Sequence, residues 1–199
     1  MTIVYEASDD SYFLAEIVDK YLVNLKKEKI KDIKVLDLGT GSGIQSKNCI
    51  KLGVKKQNIL AIDINSSALD RVKELKVKTL KSDLFEAFKR KGSVRRNLVL
   101  PQKYNLIIFN PPYLPEDKYD KLKDTTGGKK GDETIVRFIG KLNKHLSEMG
   151  VCFLLTSSFT PEKAWKAEAK KQKLEVKRLA RRKLFFEELY VWEIKLSNS

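Results

Sequence analysis

Asn110 stands at the end of an apolar run, in the segment IIFNPPYLPE, and is followed by Pro111, Pro112 and Tyr113. An amide oxygen at that place accepts a hydrogen bond from a planar –NH2 group. The Pro111 carbonyl, held by the fixed φ angles of two prolines, accepts a second. Tyr113 supplies a ring against which a flat amide or a base packs. Together these residues form a receptor for a nitrogen whose lone pair is delocalised. Drawing both of its protons toward fixed acceptors builds electron density on the nitrogen and aims it at an electrophile. That is catalysis by positioning and electrostatics, without a strong general base. A strand stopped by two prolines accounts for Pro111 and Pro112 but leaves Asn110 and Tyr113 unexplained.

The electrophile is indicated by acids placed ahead of this motif. VLDLGTGSG (35–43) follows an apolar run and opens a helical pattern. Gly39, Gly41 and Gly43 allow a tight turn and close approach to a ligand. Nicotinamide enzymes use such a turn too. Asp37, two residues before Gly39, repels a pyrophosphate and suits the ammonium of an amino acid. Asp63, in AIDIN, is placed to accept from both hydroxyls of a ribose. Asp83, in KSDLF, is placed to accept from an adenine amino group, with the Leu84 amide donating to the ring. Any one of these acids could cap the helix after it. All three, with the glycine turn, point to S-adenosylmethionine, and so to S-adenosylhomocysteine as product.

These residues need a frame, and strand and helix patterns alternate along the chain. Apolar residues at helical spacing predict an N-terminal helix over 9–27, with Ser8, Asp9 or Asp10 as its cap. Strands are predicted at 33–39, 58–65, 77–83, 104–110, 150–158, 174–182 and 187–195. Helices are predicted at 43–52, 66–75, 132–147 and 161–171. The strand at 77–83 is the more polar one, as an edge strand is. The alternation predicts an α/β fold with a mostly parallel sheet and helices on both faces. The last two strands lie too close for a helical crossover and form an antiparallel hairpin. Seven strands with such a hairpin describe the Rossmann-like class I methyltransferase sheet. The stretch 89–102, KRKGSVRRNLVLPQ, reads as a basic loop or fraying helix.

Length and composition set the outer bounds. With 199 residues and 42% hydrophobic content, one domain over residues 1–199 with a full core is expected. No apolar run is long enough for a bilayer, and the N-terminus lacks a signal-peptide pattern. A cytoplasmic protein with no membrane role is therefore expected. Cys49 and Cys152 fit two reduced core thiols, and the lone His145 reads as a surface residue on a helix with no metal role. Lys and Arg number 40 against 26 Asp and Glu, a net charge of +14, and residues 163–183 alone hold ten Lys or Arg and two Glu. Such a balance attracts phosphate-rich partners such as RNA. It also matches the Lys- and Glu-rich composition of thermophile proteins.

NPPY after DLGTGSG resembles the methyltransferases that act on planar amino groups of adenine, guanine or glutamine. Three further segments resemble the eukaryotic and archaeal branch of the release-factor glutamine methyltransferases, the HemK/PrmC group. VYEASDDSYFL (4–14) is similar to that branch's VYEPxEDTFLL opening, with Ala7 for proline and Ser11 for threonine. GGKKGDETIVRFI (127–139) is similar to its GGxxGxxxxxRF segment. LARRKLFFEELYVWEI (179–194) is similar to its RxxxxExLxVxxF ending, but lacks the glycine before Glu188. The resemblance implies N5-methylation of the glutamine in the GGQ loop of a class-1 release factor. It implies cofactor contacts from Ser11, Asp37, Gly39, Gly41, Asp63, Asp83, Leu84 and Asn110, and a substrate site of Asn110, Pro111, Pro112 and Tyr113. It also implies a small zinc-binding activator protein that pairs with the edge strand near 77–81. Two other functions stay in view. One is N-methylation of adenine or guanine in RNA or DNA, or of protein lysine. The other is a cofactor-binding subunit of an RNA–protein complex without turnover, which has no need of an amide clamp.

Overall fold

Three of the strands are apolar on both faces, and that composition buries them at the centre of a sheet. They are β1 (Val35–Leu38), β2 (Ile59–Asp63) and β4 (Tyr104–Phe109). The computed structural model describes residues 8–89, 103–113 and 128–197. Segment 4–7, most of the basic stretch 89–102, Gly127, and Leu114, Pro115 and Glu116 of the opening motif lie outside the described residues.

The remaining strands are β3 (Lys78–Lys81), β5 (Leu146–Ser157), β6 (Leu174–Lys183) and β7 (Glu188–Leu196). The order across the sheet is β3-β2-β1-β4-β5-β7-β6. The first five in that order run parallel, β7 runs antiparallel to β5, and β6 pairs antiparallel with β7. The predicted terminal hairpin is present, with β7 inserted between β5 and β6. The chain winds outward to β3 and then returns to place β4 beside β1. That reversal opens a crevice at the C-terminal ends of the strands, where open α/β sheets bind ligands.

Alternate residues feed two cores. Val35, Ile59, Leu106, Ile108 and Val151 face one, together with α1 (Asp9–Val23), α2 (Lys27–Asp32), Cys49 of α3 (Ile44–Lys51) and Val72 of α4 (Ser66–Lys73). Leu36, Leu60, Ile107 and Cys152 face the other, together with α5 (Glu133–His145) and α6 (Lys163–Lys171). Cys49 and Cys152 are free and buried, and burial pushes both thiols up in pKa.

Several boundaries differ from the sequence pattern for identifiable reasons. The N-terminal helix stops at Val23 rather than 27. A separate turn, α2, then begins at Lys27 and buries Ile30. The helix predicted over 132–147 ends at His145, because Leu146 enters the sheet opposite Tyr104. The register then slips, and Leu106 pairs with Val151. Gly150 makes this bulge possible: a Cβ there would lie 2.8 Å from the Tyr104 carbonyl oxygen. His145 is half-buried rather than exposed. Its ring stacks on Phe85 at 4.2 Å, with an interplanar angle of 8°.

Candidate active site

The C-terminal ends of β1 to β4 surround a cleft of about 460 Å³. Every site residue predicted from the sequence lines it: Ser11, Asp37, Gly39, Gly41, Asp63, Asp83, Leu84, Asn110, Pro111, Pro112 and Tyr113. They arrive from five segments, α1 and the ends of β1, β2, β3 and β4, and the parallel register brings the four strand ends to one edge.

The glycine turn is held from both sides. The Thr40 amide donates to the Ile62 carbonyl at 3.0 Å, and the Gly41 amide donates to Asp63 Oδ2 at 2.9 Å. Gly39 has φ +64°, a left-handed conformation that strains any side chain, and a Cβ there would touch the Phe109 ring at 3.4 Å. Gly43, at φ +77°, leads into α3, and a Cβ there would lie 2.7 Å from Val72 Cγ2.

The three acids stand in three different environments. Asp37 is almost fully buried, and its Oδ2 accepts from Thr40 Oγ1 at 2.7 Å, Ser46 Oγ at 2.6 Å and the Ser46 amide at 3.1 Å. Burial holds its carboxyl above the usual aspartate range, opposed by those hydrogen bonds. Asp63 is steadied through both oxygens, Oδ2 by Gly41 and Oδ1 by the Asn65 amide at 2.8 Å. Asp83 is half-exposed and paired with Arg137 of α5, whose Nη2 donates to Oδ2 at 2.7 Å. Leu84, next to it, has φ +49°, which turns the chain sharply at the cleft wall.

The amide of Asn110 is oriented by the N-terminal helix. Its Nδ2 donates to Asp10 Oδ2 at 3.1 Å and to Ser11 Oγ at 3.3 Å. Tyr113 donates its hydroxyl to the same Asp10 oxygen at 3.3 Å. Asn110 Oδ1, by contrast, is buried without a hydrogen-bond partner among the described residues. Asp10 is itself 5% exposed, and its Oδ1 accepts from the Ser11 amide and from Ser8 Oγ, both at 2.6 Å. Gln45 Nε2 donates to the Ser11 carbonyl at 2.9 Å and ties this helix to α3.

Two residues at the site were missed from the sequence. Asp10 read only as a candidate helix cap, and Arg137 was only one letter of a family segment. An acid in the first turn of a helix has a capping role by default, and nothing local links it to a motif a hundred residues later. Only the fold reveals that contact.

Comparison with known proteins gives the family. The family model of the methyltransferase small domain matches residues 16–183. A Methanocaldococcus jannaschii protein, provisionally named a protein N5-glutamine methyltransferase, is 37% identical over 199 residues, spanning 94% of this chain and 89% of that one. A release factor glutamine methyltransferase of Leptospira interrogans is 35% identical over 119 residues; the match covers 55% of this chain and 37% of the longer relative. Among solved structures, the E. cuniculi Mtq2–Trm112 complex, responsible for methylating the eRF1 termination factor, contains a chain that superposes with a TM-score of 0.72. The overlap covers 98% of this chain and 99% of that one at 24% identity, a likeness of fold. With that family model over most of its length and that relative along nearly all of it, the chain belongs to the methyltransferase small-domain family, within its HemK/PrmC-type group.

Proposed function

We propose that this protein transfers the methyl group of S-adenosylmethionine to the side-chain amide nitrogen of a glutamine, the one in the GGQ loop of a class-1 translation release factor. The observation that carries the proposal is the state of Asn110. Its NH2 is tied to Asp10 and Ser11, while its carbonyl oxygen is buried and has no partner among the described residues. A buried acceptor left unsatisfied is costly, and a substrate N–H satisfies it.

The residues of the cleft fit the cofactor. Its volume, the glycine floor under Phe109 and the three acids match an amino-acid tail, a ribose and an adenine in turn. Asp37 holds the ammonium, through charge and through the oxygen not taken by Ser46 and Thr40. Asp63 accepts from the ribose hydroxyls. Asp83, steadied by Arg137, accepts from the adenine amino group, and the Leu84 amide donates to the ring. Gly39, Gly41 and Ser11 line the path of the chain between them. Bound there, the cofactor supplies a methyl group on a sulfonium.

Asn110 Oδ1 and the Pro111 carbonyl accept the two N–H bonds of the substrate amide, and Pro112 and Tyr113 wall its plane. Both protons then point away from the electrophile, and the nitrogen lone pair faces it. As the N–C bond forms, the bond from that methyl to the sulfonium breaks, its electron pair stays on sulfur as the neutral thioether, and the nitrogen becomes acidic. One of its protons, already held by an acceptor oxygen, leaves to water. No group in the clamp has to be a strong base, which suits a site whose acceptors are an amide and a peptide carbonyl.

A small zinc-binding activator protein pairs with the outer edge of β3, the last strand of the sheet on that side, where Leu80 is half-buried. The reaction takes place in the cytoplasm, where release factors work. A purine amine presents the same planar –NH2, and the net charge of +14 favours a nucleic-acid substrate. One panel separates the two readings. The enzyme, with and without the activator, is given labelled cofactor and equal amounts of release factor, tRNA, ribosomal RNA and duplex DNA. Label is expected on release factor; label on nucleic acid and none on release factor overturns the proposal.

A further inference from the structure

We infer that the turn between β6 and β7 is the docking surface for the folded protein that carries the target glutamine, which it meets through an apolar spot bordered by carboxylates. This rests on the reading of the clamp as a protein-glutamine site.

The turn has an unusual composition. Leu184 donates its amide to the Glu187 carbonyl at 2.8 Å, so the loop between them is only Phe185–Phe186. Two-residue hairpin loops favour Asn-Gly or Gly-containing pairs, because their twist calls for positive φ. Neither phenylalanine has a positive φ. Core packing does not explain them either. Phe185 is 91% and Phe186 84% exposed, and the rings meet only edge to face, with centroids 4.7 Å apart. Two large apolar rings that serve neither the turn nor the core are the kind of local conflict expected at a functional surface.

Position points the same way. Leu189 pairs with Ser157, and the Ser158 amide donates to the Glu188 carbonyl at 2.7 Å. The loop after β5 then carries Phe159, itself 51% exposed, and Thr160, whose hydroxyl donates to the Tyr113 carbonyl at 3.4 Å. One loop therefore joins the aromatic turn to the clamp. At its base, Arg182 donates to Glu16 Oε2 at 2.6 Å and lies 4.4 Å over the Phe13 ring. Both belong to α1, the helix that carries Asp10. A pair of exposed aromatic rings on a hairpin whose base is tied to α1 through Arg182 is placed to act as an anchor, and aromatic side chains are enriched at interface hot spots.

Charge selects the partner. Arg181 and Lys183 are exposed, whereas Glu187 and Glu188 are half-buried and Glu188 Oε2 accepts the Tyr190 hydroxyl at 2.9 Å. The charges that project into solvent at the turn are those of Arg181 and Lys183, which suit carboxylates around an apolar contact.

The test is steady-state kinetics with intact release factor, comparing the wild-type enzyme with Phe185→Ser/Phe186→Ser and with Arg181→Glu/Lys183→Glu. Both pairs are exposed, and thermal unfolding checks that the fold is kept. The aromatic variant is expected to raise KM for release factor at least tenfold, with kcat and cofactor affinity unchanged. The charge variant is expected to raise KM severalfold at low salt and less at high salt. An unchanged KM in both variants of an enzyme whose wild type is active overturns the docking surface alone. Lost affinity for tRNA or ribosomal RNA with unchanged KM also overturns it, in favour of a nucleic-acid surface. If the wild type transfers no methyl to release factor, the glutamine reading itself falls, and this inference with it.

Discussion

Replacing Asn110 by aspartate separates what its two amide atoms do. Nδ2 faces Asp10 Oδ2 at 3.1 Å, and Oδ1 is the unpartnered acceptor. Asn110→Asp keeps an acceptor for the substrate but turns the donor into a second carboxylate oxygen against Asp10. Two unit charges about 4–5 Å apart, at an effective dielectric of about 20, repel by roughly 4 kcal/mol. That is on the order of a 1000-fold bias against the side chain staying in place. One proton shared between the two carboxylates removes the repulsion and restores the donor, so the protonated pair reproduces the hydrogen-bond pattern of the amide. Asn110→Asp is therefore expected to be nearly inactive at about pH 8.5 and to regain activity as the pH falls toward about 6. Asn110→Ala has neither donor nor acceptor, and its rate should stay at least about 100-fold down across the range. The assay is the initial rate of label transfer to release factor, normalised to the wild type at each pH, with calorimetry confirming that cofactor binding is retained. Equal activity of Asn110→Asp and wild type at high pH refutes the role of Asp10. Full activity of Asn110→Ala removes Asn110 from the mechanism.

Asp63→Ala should weaken cofactor binding about 10- to 100-fold in calorimetry, since charge-assisted hydrogen bonds are worth roughly 1.5–3 kcal/mol each; unchanged affinity would move the ribose elsewhere. Asp37→Asn keeps an oxygen for Ser46 and Thr40 but removes a buried charge. Because burial raises the Asp37 pKa in the fold, ionisation costs stability as pH rises past the ordinary aspartate range. The variant should therefore melt higher than the wild type at neutral pH, with the gain vanishing in acid, and should bind cofactor poorly; a lower Tm at neutral pH contradicts this. Gly43→Ala puts a Cβ 2.7 Å from Val72 Cγ2 at φ +77°. It should lose about 1–3 kcal/mol in urea unfolding, and an unchanged midpoint shows that the turn relaxes freely.

Much of this site was legible before any coordinates, because parallel strands deliver their ends to one edge. Once 33–39, 58–65, 77–83 and 104–110 are read as strands of one parallel sheet, Asp37, Asp63, Asp83 and Asn110 must converge. Contacts between elements far apart in sequence were not legible. Asp10 reaches Asn110 across a hundred residues, and Arg137 reaches Asp83 across 54. Neither pattern nor propensity encodes such a meeting. The start of β5 was misjudged because Leu146 fits a helical repeat as well as it fits a strand. His145 was misjudged because a lone imidazole on a helix carries no local sign of the Phe85 ring it stacks on. The missing glycine before Glu188 left the last turn open, and the structure fills it with Phe185 and Phe186.

The central claim is that Asn110 and Pro111 present a glutamine amide nitrogen for methylation. Tandem mass spectrometry of release factor after incubation with enzyme, activator and isotope-labelled S-adenosylmethionine tests it most directly. The account predicts a single labelled methyl on the side-chain nitrogen of the GGQ glutamine, absent when Asn110→Ala replaces the wild type. A methyl on lysine, on another residue or only on co-purifying RNA contradicts it.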